Sequence, residues 1–231
     1  MSDLLTETWP AAKAVRLGPW MIRDGQGGGK RASAATAVAP WQDEEIEAAE
    51  TAMAQLAQPP LFRIGPDDVM LDQALQSRGY RIVDPVLTYG CDVGHLARLP
   101  LQGHAAMAHW PMLQICRRLW EAGGVTPARQ AVMERVSGPK TVILGRLKDR
   151  VVGCCFVAAH DNAVMLHALD VLPEARRHGI GRNIMRSAAL WAQNNGATEL
   201  HLLVTRANLT ARRFYDSLGM QVIEESHYRQ R

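Results

Sequence analysis

Residues 164–196 read VMLHALDVLPEARRHGIGRNIMRSAALWAQNNG. The run 164–171 is apolar on both faces apart from His167 and Asp170, the pattern of a strand buried in the middle of a sheet. Pro173 ends it. From Arg182 the period changes: Ile184, Ala188 and Trp191 recur at i, i+4 and i+7, with Met185, Ala189 and Ala192 beside them. That is an amphipathic helix, and Gly196 stops it. Between strand and helix, Arg176, Gly179 and Gly181 spell R-x-x-G-x-G. Glycines at such a turn let the backbone approach a ligand, and the first-turn N–H groups then face it unpaired. Anions are favoured there, and Arg176, Arg177, His178 and Arg182 add positive charge.

A second segment, NLTARRFYDSLGM at 208–220, follows a strand at 200–204. Asn208 caps its helix, Ala211, Phe214 and Leu218 form the expected buried stripe, and Gly219 ends it. Together the two segments resemble the GNAT (GCN5-related) N-acetyltransferases. Val171, Pro173 and R-x-x-G-x-G are similar to that family's acyl-CoA pyrophosphate loop, and 208–220 to its N-x-x-A-x-x-F-Y-x-x-x-G-F/M segment. The resemblance is strong over 110–231 and weak over the first hundred residues.

The resemblance implies an α/β (α+β) fold, a mixed central sheet flanked by helices. It implies an acyl-CoA-dependent N-acyltransferase, passing acetyl from acetyl-CoA to a primary amine of a small molecule or peptide by direct attack in a ternary complex. A non-catalytic acyl-CoA-binding sensor or assembly module is the competing class. Cofactor contacts are implied at Leu169, Asp170, Val171, Arg176, Arg177, His178, Gly179, Ile180, Gly181, Arg182, Asn208, Ala211 and Phe214. In the family the central strand bulges and splays from its neighbour, and backbone N–H groups near Val171 hold the thioester carbonyl.

Acetyl transfer needs a deprotonated amine, a place for charge developing on the carbonyl, and a proton for the departing thiolate. Tyr215 is the candidate acid: a phenol of pKa about 10 protonates a thiolate without itself ionising at neutral pH. Histone-modifying relatives carry a glutamate where this chain has Met165. His167, two residues along and so on the same face, is the candidate base. Strand alternation puts Asp170 on the opposite face, and His201 on the next strand; both are weaker candidates.

The formal net charge of +3 and the pI near 8.8 give no case for nucleic acid, and no Lys/Arg-rich run is interleaved with aromatics. No apolar stretch reaches the roughly 18 residues that span a bilayer, and MSDLLTETW lacks the basic start of a signal peptide. Cys91, Cys116, Cys154 and Cys155 show no C-x-x-C or zinc spacing, so reduced thiols, no metal and a cytoplasmic location are expected.

The N-terminal half reads as a helix at 4–15 broken by Pro10, then strands at 20–23 and 31–38 across the loop DGQGGGK. That loop fails the Walker pattern, since Arg31 follows Lys30. Helices at 46–58 and 69–78, the latter capped by Asp67 or Asp68, alternate with strands at 61–64 and 81–89. Residues 76–84 overlay 216–224 at an offset of 219 − 79 = 140, each copy running helix, glycine, strand. The chain thus divides into a degenerate GNAT-like unit, 1–94, and a catalytic domain, 95–231, with a linker at 94–103. Helices at 110–122 and 127–136 and strands at 141–147 and 151–159 precede the central strand. Trp110 and Trp120 are core residues or walls of the acceptor cleft. Exposed edges of two half-sheets pair within the chain or between chains, so a homodimer is possible.

Overall fold

The computed structural model describes residues 2–231. The chain runs α1 (Ser2–Thr8), β1 (Lys13–Leu17), β2 (Trp20–Asp24), α2 (Lys30–Ser33), β3 (Thr36–Ala37), α3 (Glu45–Gln55), β4 (Leu61–Ile64), α4 (Val69–Ser77) and β5 (Arg81–Asp92). It continues with α5 (Val93–Ala97), β6 (Met107–His109), α6 (Gln114–Ala122), α7 (Pro127–Arg135), β7 (Lys140–Leu147) and β8 (Arg150–His160). The rest is β9 (Ala163–Val171), α8 (Ile180–Asn194), β10 (Glu199–Thr205), α9 (Leu209–Ser217) and β11 (Gln221–Gln230).

The apolar run at 164–171 becomes β9, inside an eight-stranded sheet of order β4-β11-β5-β10-β9-β8-β7-β6. The β9–β10 pair is parallel and the other pairings of this sheet are antiparallel. Helix α8 covers one face, burying Ile184, Met185, Ala188, Ala189 and Ala192. Each of the two long side chains contributes roughly 1.5–3 kcal/mol by leaving water. Cys116, Leu119 and Trp120 of α6 and Val132 and Met133 of α7 cover the other face, with Leu4 and Leu5 of α1.

The internal repeat has a structural counterpart. The order β4-β11-β5-β10 is palindromic when β4 is exchanged with β10 and β5 with β11. Ala35 meets Phe62 in a parallel bridge, as Leu166 meets Leu202 in the parallel β9–β10 pair. Helices α4 and α9 both end at left-handed glycines, Gly79 at φ 83° and Gly219 at φ 78°. The half-sheets pair within the chain, through β5 and β11.

Several expectations need correction. The helix expected at 4–15 stops at Thr8; Pro10 cannot continue it, and 13–17 forms β1 against β2. In place of a strand at 31–38, Lys30–Ser33 makes a helical turn, and Thr36–Ala37 alone joins β2. Lys30 donates to Asp84 at 2.7 Å, a surface pairing rather than a phosphate contact. Asp68 accepts the Gly65 N–H at 2.8 Å instead of capping α4. The stretch at 94–103 is no open linker: Asp92 caps α5 by accepting from His95 N–H, and Leu96 is buried. The 110–122 helix begins at Gln114, leaving Trp110 ahead of it. In α9 the buried residue is Tyr215, with Ala211 and Phe214 half-buried and Leu218 buried just beyond the helix.

Candidate active site

Strands β9 and β10 pair from Ala163↔Glu199 to Leu166↔Leu202 and then part. Beyond that point residues 203–205 pair with β5 alone, and 167–171 with β8 alone. A wedge therefore opens beside 167–171, with backbone polar groups on its wall. At its apex the ladder jumps from Phe156↔His167 to Cys154↔Asp170, three steps on β9 against two on β8. The extra residue is a bulge with Ala168 at φ 50°. Trp120 Nε1 donates to the Ala168 carbonyl at 2.8 Å, so this fully buried core residue also anchors the bulge.

The bulge overturns the alternation argument for Asp170. One inserted residue reverses the parity of the strand, and Asp170 lies on the face of Met165 and His167. A Cβ placed on Gly123 would come within 1.9 Å of Asp170 Oδ2, so the glycine after α6 makes room for the carboxylate. Arg176 Nη2 is 3.9 Å from Asp170 Oδ1. Leu169 and Val171 pack toward α8 instead.

The loop from β9 to α8 is built for an anion. A 3₁₀ turn at Pro173–Ala175 leads to Arg176, whose Nε donates to Val171 O at 2.9 Å. Arg177 at φ 65° and Gly179 at φ 77° are left-handed, and Gly179 is the N-cap of α8. His178 Nδ1 lies 2.8 Å from Arg176 O. The N–H groups of 177–182 have no protein acceptor among the described residues. Alternating handedness turns successive N–H groups to one side, and the helix dipole adds about half a positive charge there. Arg182 Nε is buried without a partner.

Two neighbours of this loop carry no sequence signal. Gln102 sits against Gly179, where a Cβ would meet its Oε1 at 2.3 Å. Asn183 of α8 holds that segment by accepting from Gln102 N–H at 3.1 Å and donating to His104 O at 2.9 Å.

Helix α9 brings the second motif to the first. Asn208 accepts the Ala211 N–H at 3.1 Å, the expected cap. Phe214 closes on the loop, its Cζ 3.1 Å from where a Cβ on Gly181 would stand. Tyr215 is next to it, ring centroids 5.3 Å apart, and 5.6 Å from Tyr89. Its hydroxyl makes no hydrogen bond to the protein among the described residues, and burial raises its pKa well above the usual phenol value.

His167 is placed apart from Tyr215, on the opposite face of the sheet. It is 2% exposed, and Trp9 covers it at 4.8 Å between ring centroids. Arg31 donates to Nδ1 at 3.0 Å, which makes Nε2 the N–H that donates to Thr8 Oγ1 at 3.1 Å; Thr8 in turn donates to Leu4 O. No lone pair remains for a substrate amine. Burial, then the charges of Arg31 and Arg129, lowers the pKa of His167 well below 6.5. The folded state therefore excludes a proton that the unfolded chain accepts, so stability is full above pH 6.5 and falls as pH drops through it. Urea midpoints measured from pH 7.5 to 5 should decline below pH 6.5, and His167→Gln should flatten that slope. An equal slope in both proteins would assign it to other groups.

Residues 110–220 match the Acetyltransferase (GNAT) family. Over 238 aligned residues the chain is 28% identical to the uncharacterized N-acetyltransferase YobR of Bacillus subtilis, covering 98% of this chain and 95% of that one. A GCN5-related N-acetyltransferase from Kribbella flavida shares the fold at a TM-score of 0.77 and 18% identity, over 99% of this chain and 93% of its own. A tandem GNAT protein from the clavulanic acid biosynthesis pathway aligns at a TM-score of 0.64 and 11% identity, over 100% and 86%. The palindromic strand order fits such a duplicated architecture. Family match, whole-length similarity and the wedge with its anion loop agree on a GNAT acetyltransferase domain at 110–220.

Proposed function

We propose that the chain transfers acetyl from acetyl-CoA to a primary amine by direct attack in a ternary complex. The observation that carries this reading is the run of unpaired N–H groups at 177–182, opening beside the β9–β10 wedge with Tyr215 adjacent. Those N–H groups and Arg182 hold the pyrophosphate, and Asn208, Ala211 and Phe214 flank the arm that follows it. The backbone of Leu169 and Val171 faces the thioester carbonyl and stabilises charge developing there. Tyr215 gives its proton to the leaving thiolate.

His167, with both nitrogens engaged, orders the acceptor face through Arg31 and Thr8 rather than taking the proton itself. The half-buried carboxylate on that face is Asp170, and we assign it the removal of the amine proton, directly or through water. Asp170→Asn should lower kcat by about 10²-fold or more with KM for acetyl-CoA little changed. A kcat within a factor of three of the parent would return the proton to solvent.

Residues 1–94 form a unit without its own cofactor loop. The segment after β3 reads VAPWQDE at 38–44, placing Asp43 and Glu44 where phosphate would need cations. The unit serves as scaffold and as one wall of the acceptor site. Four free cysteines fit a reducing compartment, and we place the enzyme in the cytoplasm. No described helix is long and apolar enough to cross a membrane. Release of free CoA thiol from acetyl-CoA, scored across a panel of primary amines, tests the activity. No amine-dependent release with acetyl-CoA bound would favour a binding module.

A further inference from the structure

The N-terminal half gathers more positive charge than it neutralises around one buried and two half-buried arginines. Arg23, Arg31 and Arg63 line a cavity of about 10 Å³ beneath α1, together with Leu5 and Trp9. Arg23, 8% exposed, donates to two neutral acceptors, Ala34 O at 2.9 Å and Thr36 Oγ1 at 3.0 Å. Arg31 donates to neutral His167 and stacks 4.8 Å above the Trp9 ring. Arg63 reaches Glu224 at 3.3 Å. Three guanidiniums thus share one carboxylate among the described residues, a balance of 3 − 1 = +2. Arg129 stacks on Trp9 as well, at 5.8 Å, adding to the excess.

A second observation points the same way. Tyr228, 3% exposed, is the cross-strand partner of Arg63, and its hydroxyl has no hydrogen bond to the protein among the described residues. Arg31, Arg63 and Arg23 all lie within electrostatic reach of it. Like charges crowded together and partly withdrawn from water are disfavoured, and burial, with the like charges of Arg129 and Arg63 outweighing the opposing effect of Tyr228, lowers Arg31 to about 10. An anion removes that penalty, and the guanidinium forks are shaped to receive it.

We propose that the cavity beneath α1 binds a small monovalent anion, a halide or formate, held by Arg23, Arg31 and Arg63. A space that admits about one water-sized centre has no room for a tetrahedral oxyanion. Because Arg31 also fixes His167, occupancy of this site is coupled to the acceptor face of β9. The inference does not depend on acetyl transfer.

Thermal unfolding of the full chain in chloride, formate or sulfate, at constant ionic strength set by a bulky sulfonate salt, tests it. Chloride, formate or both should raise the midpoint saturably, by roughly 3–6 °C at ten times the dissociation constant, and sulfate should not. Response to chloride alone identifies a halide site, and response to formate a carboxylate site. Arg23→Gln should lose the response while unfolding no earlier than the parent in the sulfonate salt, since one uncompensated charge is gone. Should that variant not fold, ³⁵Cl line broadening by the parent, reversed by formate, reads the same site. Midpoints that follow ionic strength whatever the anion, an Arg23→Gln protein that responds like the parent, or no line broadening in a protein whose midpoint also ignores formate would overturn the proposal.

Discussion

Tyr215→Phe should bind acetyl-CoA as the parent does and turn over about 10²- to 10⁴-fold more slowly, the usual contribution of a positioned general acid. The substitution removes one atom. Phe214 and Tyr89 still hold the ring, at 5.3 and 5.6 Å, and the lost hydroxyl leaves no protein group unpaired among the described residues. Stability should therefore change by no more than about 0.5 kcal/mol, which separates this loss from unfolding. The pH dependence adds a second check. Burial moves Tyr215 upward from its usual 10.0, so the acid stays protonated and kcat should show no descending limb from it below pH 10. Single-turnover thiol release at pH 7 to 9 that is the same in both proteins would end the acid assignment.

What was legible in the sequence is what local chemistry decides. Gly179 and Gly219 adopt the left-handed conformations their motifs require, and Asn208 caps α9 as its side chain allows. The continuous apolar run at 164–171 became the centre of the sheet because only a strand covered on both faces tolerates it. The acceptor face was not legible, because distant partners build it. The bulge at Ala168 is anchored by an indole 48 residues away in sequence, and it alone moves Asp170 to the side of His167. His167 lost its lone pair to Arg31, 136 residues upstream, in a stretch whose alanines and Gly-rich approach read as a strand. Gln102 lies in a segment that composition alone marks as a linker, yet it is held against the loop between β9 and α8 through Asn183. Alternation also failed at Lys13–Leu17, a strand exposed along its whole length that no burial pattern could announce.

Gly179→Glu should abolish acetyl-CoA binding outright. Three effects act together at this position. A side chain at φ 77° is strained by roughly 1–2 kcal/mol, its Cβ would meet Gln102 Cβ at 2.8 Å, and the carboxylate would enter a space lined by unpaired N–H groups. In the parent, acetyl-CoA at a hundred times its dissociation constant should add about 2.7 kcal/mol, a midpoint rise of roughly 5–10 °C for a chain of this size. The variant should unfold slightly earlier than the parent and show no rise at all. Strain alone could mimic part of this, and the repeat supplies the control. Gly79 is the left-handed glycine that ends α4, at φ 83°, with nothing within 4 Å of where a Cβ would stand and no cofactor loop beside it. Gly79→Glu therefore carries the same backbone penalty without the charge at the loop, and it should keep the full acetyl-CoA response. Loss in both variants would mean that general destabilisation, not the loop, removed binding. Retention in Gly179→Glu would place the cofactor away from 177–182, and the mechanism built on the β9–β10 wedge would fall with it.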